Sequence, residues 1–163
     1  MALTMRAEVR DELVKRLRSG NYIQGKEKLA LKDGDGERYC CLGVLCEMAV
    51  EAAVTQRVER EEEHFNDQDP DGEMLSVVVV KYGLGNLYDA TLPPEVAVWA
   101  GMATEEEVET LTHVAFDDGP GMGRYDDPDG NMPTFNTLAG LNDDGTPFPE
   151  IATFIEANAR EAA

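Results

Sequence analysis

The sequence predicts an α+β fold: a mostly helical single domain with a small antiparallel sheet or hairpin around a buried, cysteine-bearing helix. Three observations carry that reading. "CCLGVLCEMAVEAA", residues 41–53 with Cys40 before it, is apolar almost all round, which marks a helix buried on most of its surface. "KLALKDGDGERYCC" alternates, turns on "DGDG" and returns, as a hairpin does. The 163 residues, 42% of them hydrophobic, suffice for one core and show no repeat and no linker that separates two units.

The elements follow in order. Val9, Leu13 and Leu17 recur every four residues, with Met5 one turn earlier. A helix is therefore expected over residues 4–18, with Thr4 as N-cap and Gly20 at its stop. Gly43, in the first turn of the cysteine helix, would let another backbone approach closely. Residues 55–74, beginning "TQRVEREEEHFNDQDPD", read as a charged, mobile loop insertion. "SVVVVKYG" is β-branched and reads as a strand. "TLPPEVAVWAG" is a short helix with Pro94 in its first turn and Gly101 at its end. "TEEEVETLTHV" places Thr104 and Glu107 at capping-box spacing. A second loop insertion is expected near residues 116–134. "TFNTLAGLND" is a short helix closed by "NDDGTPF", and the last helix, residues 149–160, aligns Ile151, Phe154, Ile155 and Asn158.

Charge narrows the function classes. The formal net charge is −19 and it is uneven. Residues 1–60 hold 11 of the 14 Lys and Arg and 10 of the 33 Asp and Glu; residues 61–163 hold 3 basic and 23 acidic residues. Direct nucleic-acid binding is disfavoured, because phosphate contact needs a basic surface. Solubility explains the acidity most simply; a basic partner surface is the sharper explanation. No apolar run approaches the roughly 20 residues of a membrane helix. "MALTMRAEVRDELVKR" has no apolar signal core, so secretion is not expected.

The three cysteines are the first candidates for chemistry. Their spacing lacks the paired pattern of a zinc site. Cys41 near a helix N-terminus would gain a lowered thiol pKa. With His113 as base and Asn142 or Asp143 to orient the imidazole, it would make a Cys-dependent hydrolase. The plainer account, that Cys40, Cys41 and Cys46 are small hydrophobes of a tight core, ranks above it. "DQDPDG" matches the start of a calcium loop through Asp67, Asp69 and Asp71, but Val78 stands where a distal Glu is required. No Walker loop or dinucleotide fingerprint is present, and no cofactor is expected. The basic first third could line a pocket for a small anionic ligand: Lys28 and Arg38 would contact phosphate, and Tyr22, Tyr39 or Trp99 would stack on a base. A solvated helix face and a charged hairpin explain the same residues without a ligand.

Four blocks carry a resemblance. "LRSGNYIQ" at Leu17–Gln24, "YCCLGVLC" at Tyr39–Cys46, "LPPEVAVW" at Leu92–Trp99 and "LNDDGTPFPEIATFI" at Leu141–Ile155 occur in that order. Together they resemble a family of small tailed-phage proteins, actinobacteriophage-like, that carry no assigned activity. The resemblance implies a phage origin and action in the host cytoplasm, and it implies no catalytic residues. The expected function is that of an accessory binding protein, serving counter-defence by sequestering a nucleotide-derived signal. The alternatives are an acidic, DNA-mimic-like inhibitor of a host protein and the Cys41 hydrolase. The expected partners are thus a small anionic ligand or a host protein, or a second copy of the chain, and no membrane.

Overall fold

The computed structural model describes residues 3–65, 71–72, 74–108 and 134–162. The chain runs through β1 (Thr4–Met5), α1 (Ala7–Arg18), β2 (Ile23–Gln24), β3 (Ala30–Asp33), β4 (Gly36–Tyr39) and α2 (Cys41–Glu51). It continues through β5 (Arg57–Phe65), β6 (Met74–Tyr82), α3 (Pro94–Trp99), α4 (Thr134–Asp143), α5 (Phe148–Asn158) and β7 (Arg160–Glu161). Residues 105–108 are also helical.

The α+β class holds, but the mostly helical expectation with a small antiparallel sheet does not. The main sheet has five strands in the order β2-β4-β3-β6-β5 and is mixed, because β2 runs parallel to β4. A second, two-stranded sheet pairs β1 with β7 in parallel. Two physical reasons account for the difference. A two-residue strand is too short to show a period, so β1, β2 and β7 left no pattern to read. β5 is so rich in charge that it resembles loop sequence, yet along Arg57–Phe65 it pairs with β6 in unbroken antiparallel register. Residues 57–65 are therefore strand and not loop. Residues 109–133, where the second insertion and His113 fall, lie outside the described residues.

The hairpin expected around "DGDG" forms between β3 and β4, with Gly36 at φ +120° in the turn. Helix α1 buries Val9, Leu13, Val14 and Leu17 and packs against α5, which buries Phe148, Ile151, Ala152 and Ile155. Its basic last turn, Lys15, Arg16 and Arg18, faces the negative end of the helix dipole. Thr4 is not its N-cap: Thr4 belongs to β1, and its hydroxyl donates to the Gly101 carbonyl at 2.7 Å. The expected capping box is present. Glu107 accepts from the Thr104 N–H at 2.8 Å, and the Thr104 hydroxyl accepts from the Glu107 N–H at 3.1 Å.

Helix α2 is the centre of the core. Every residue from Cys41 to Cys46 is buried, as are Met48 and Ala49, and the helix meets α1, α3, α4 and β4. Each large apolar side chain buried there contributes about 1.5–3 kcal/mol. Gly43 has the role its position suggested: a Cβ there would sit 1.8 Å from the Leu29 carbonyl oxygen. That carbonyl also accepts from the Cys40 N–H at 3.1 Å, so the chain just ahead of β3 lies directly on the start of the helix.

Candidate functional site: buried cysteines, a charged clamp and an acidic hairpin

The Cys41 environment is built for packing. Cys40 caps α2 by accepting the Gly43 N–H on its Sγ at 3.3 Å. The Cys41 thiol is buried and donates to the Leu138 carbonyl at 3.4 Å. Burial pushes the Cys40 thiol up to about 11 and the Cys41 and Cys46 thiols well above their ordinary range. Desolvation thus outweighs the helix dipole, which was expected to lower the Cys41 pKa. All three cysteines are free thiols.

Beside them stands a buried polar hub built on Asn142, a residue that the sequence offered as an orienting partner for His113. Asn142 is fully buried. Its Oδ1 accepts from the Cys41 N–H at 3.2 Å and from Gln24 Nε2 at 3.0 Å, and its Nδ2 donates to the Gly25 carbonyl at 2.8 Å. Gln24 also donates to the Thr146 carbonyl at 2.8 Å and accepts from the Phe148 N–H at 3.1 Å. One amide pair therefore ties together the ends of "LRSGNYIQ", "YCCLGVLC" and "LNDDGTPF". Asp143 points elsewhere and accepts from the Glu27 N–H at 2.9 Å. His113, whose imidazole Asn142 or Asp143 was expected to orient, lies outside the described residues.

The proposed anion contacts are occupied from within the chain. Lys28 Nζ lies 3.1 Å from Asp89 Oδ1, which is half-buried with it. Arg38 is held loosely between Asp33 at 3.6 Å and Asp35 at 3.7 Å. Tyr39 is buried and its hydroxyl donates to Glu37 at 2.6 Å. Tyr22 meets Tyr39 edge to face, with centroids 5.4 Å apart, and its hydroxyl accepts from Arg16 at 3.2 Å. The Trp99 ring already carries the Arg6 guanidinium 5.6 Å from its centroid. Cations and rings are present as expected, but the chain's own carboxylates and side chains engage them.

A charged clamp that the sequence did not suggest joins the hairpin to α2. Arg57, at the start of β5, donates to Glu37 at 2.8 Å, to Glu59 at 3.1 Å and to Glu47 on α2. Glu47 also accepts from the Tyr82 hydroxyl at 2.8 Å, and Lys32 reaches Glu59 at 2.9 Å and Glu37 at 3.3 Å. Two cations thus face three carboxylates. The Tyr39 hydroxyl, then Arg57 and Lys32, holds Glu37 below the ordinary carboxylate range. Burial and the Glu37 hydrogen bond push Tyr39 up to about 12, and burial beside Glu47 raises Tyr82 further. The available signal was Arg57 in period-two alternation with Glu59 and the acidic run that follows.

Beyond this clamp the hairpin carries the acidic excess outward. Glu61 and Glu63 are exposed, and among the described residues neither meets a cation. Glu62, on the opposite face, lies 3.0 Å from Lys81. An open groove of about 790 Å³ lies between α3 and residues 105–108, lined by Trp99, Glu95, Glu105 and Glu106. Among the described residues, no group of three or more His, Cys, Asp or Glu side chains is placed to hold a metal ion. Asp67 and Asp69 of the proposed calcium loop lie outside the described residues; Asp71 is exposed in a turn. No helix among the described residues is long and apolar enough to cross a membrane.

No curated protein and no solved structure matches this chain. A family model, described as a domain of unknown function (DUF8296), matches residues 5–159. The match spans the Gln24–Cys41–Asn142 hub, the clamp and the acidic hairpin, and the chain belongs to the DUF8296 family.

Proposed function

We propose that this is a phage-encoded accessory protein that acts in the host cytoplasm by presenting an acidic surface to a basic partner protein. The four ordered blocks support the phage origin. One observation carries the choice of partner. Lys28, Lys32 and Arg38 each face carboxylates of their own chain, whereas Glu61 and Glu63 are exposed and, among the described residues, have no cation beside them. A small anion would have to displace Asp89 from Lys28 or Asp33 and Asp35 from Arg38 before it could bind. A basic surface meets an uncompensated field instead, and attraction of that kind raises on-rate and fixes orientation.

Carboxylates in mobile loops make poor mimics of phosphate, and that objection does not apply to Glu59–Glu63. The strand fixes them at regular spacing, with alternate carboxylates about 6.8 Å apart along one face. The reading is therefore an acidic inhibitor of a host protein whose working surface is basic.

Native mass spectrometry of the protein recovered from a bacterial host lysate tests this. A basic protein that stays bound at low salt and dissociates as ionic strength rises supports it. A nucleotide-sized mass that leaves only on unfolding would replace it with sequestration of an anionic signal.

A further inference from the structure

We propose that the outer edge of β5 is a docking rail for an extended basic segment of another protein, which adds to the sheet as a sixth strand. The proposal rests on the acidic-surface reading above and assigns that surface a geometry.

β5 is the last strand of the five-stranded sheet and is nine residues long; the strand at the other edge, β2, has only two. Gly83 N–H donates to the Gln56 carbonyl at 3.1 Å, which fixes the alternation of the ladder. Opposed residues in an antiparallel pair exchange hydrogen bonds at every second position. Val58, Arg60 and Glu62 therefore bond to β6, and the backbone N–H and C=O groups of Glu59, Glu61 and Glu63 point away from the sheet. Among the described residues no strand pairs with them, although the Glu59 carbonyl accepts from the Arg60 guanidinium at 3.4 Å. The same three residues put their carboxylates on one face of the strand. Glu59 is engaged by Lys32 and Arg57, so Glu61 and Glu63 remain for a partner.

Charge selects the occupant. A long regular edge invites pairing with any strand unless something blocks it. A second copy of this chain would bring its own Glu59, Glu61 and Glu63 against these, and like charges directly opposed across strands are destabilising. A strand with Lys or Arg at every second position would satisfy the open backbone groups and place each cation beside a carboxylate. β6 adds an apolar margin at the far end of the hairpin, where Met74 is 43% and Leu75 49% exposed.

The test uses two capped peptides of alternating Lys and Val. One is unmodified; the other has the same charge but N-methylated inner residues that cannot pair on one edge. Binding is measured by titration calorimetry, and amide exchange of the intact protein is followed by NMR. The proposal expects the unmodified peptide to bind roughly tenfold tighter or better, since several backbone hydrogen bonds are at stake. It also expects protection of the Glu59, Glu61 and Glu63 amides with that peptide alone. Glu61→Pro should erase the preference while both peptides still bind. The Glu61→Lys/Glu63→Lys double variant should lose both, with circular dichroism confirming that each variant is folded. Equal, salt-sensitive affinity for the two peptides overturns the rail and leaves the acidic-surface reading standing. No binding of either at low salt overturns both.

Discussion

Replacing Asn142 by Ala removes a buried side chain that joins three separate parts of the chain. Its effect can be worked from the hydrogen bonds. Gln24 keeps its partners at Thr146 and Phe148, so it is not stranded. The Cys41 N–H lies at the first position of α2, where no carbonyl of the helix itself can serve it. It loses its acceptor, and the Gly25 carbonyl loses its donor. Each buried group left without a partner costs about 1–3 kcal/mol. Two of them give roughly 2–6 kcal/mol, before any term for the small cavity, against a typical total stability of about 5–15 kcal/mol. Urea unfolding followed by the fluorescence of Trp99, the only tryptophan, measures this directly. Asn142→Asp sharpens the test. Its carboxylate can still accept from Cys41 and Gln24, but when ionised it opposes the Gly25 carbonyl. Burial raises its folded pKa, so the variant should be least stable at neutral pH and recover as pH falls and the acid gains a proton to donate. A loss below about 1 kcal/mol for Asn142→Ala would refute the hub, because one orphaned group alone should cost that much.

Other consequences are narrower. Gly43→Ala gains about 1 kcal/mol of helix propensity but drives a Cβ into the Leu29 carbonyl, so a net loss of roughly 2 kcal/mol is expected by denaturant titration. Glu37→Gln should cost about 1 kcal/mol at neutral pH, a modest figure because the clamp is partly solvated. Glu37 is held below its ordinary value of 4.5, so its contribution is present above that pH and is lost as pH falls through the lower folded value. Stability curves of wild type and variant should therefore run parallel above about pH 5 and converge below it. Iodoacetamide at neutral pH should leave all three thiols unmodified in the folded protein and alkylate them in urea; rapid modification of Cys41 alone would restore the nucleophile.

Much of the architecture could be read because its signals are short-range. Apolar saturation marked α2, "DGDG" marked the β3–β4 turn, and Thr104 with Glu107 marked a helix start. Close approach at Gly43 followed from the absence of a side chain in a buried first turn. What escaped depends on partners distant in sequence. Ile23–Gln24 becomes a strand only because β4 offers an edge in parallel register. β5 becomes a strand because "SVVVV" supplies the apolar half of a hairpin whose other half is charge. Arg57 matters because folding brings Glu37 and Glu47 to it from two other elements. For Cys41 the two physical effects were both known, but their balance depends on burial, which only the packed core decides. Lys28 and Arg38 were rightly grouped as cations, and the carboxylates opposite them were visible in sequence only as overall negative charge.

The most direct test of the account sets an anion against a cation on the same protein. Titration calorimetry at low and at physiological salt would compare a cyclic dinucleotide with the alternating Lys–Val peptide. The account predicts no saturable binding of the dinucleotide, and peptide binding that weakens steeply as salt rises. Saturable dinucleotide binding that is lost in Lys28→Ala or Arg38→Ala would contradict it and identify the protein as a sink for an anionic signal.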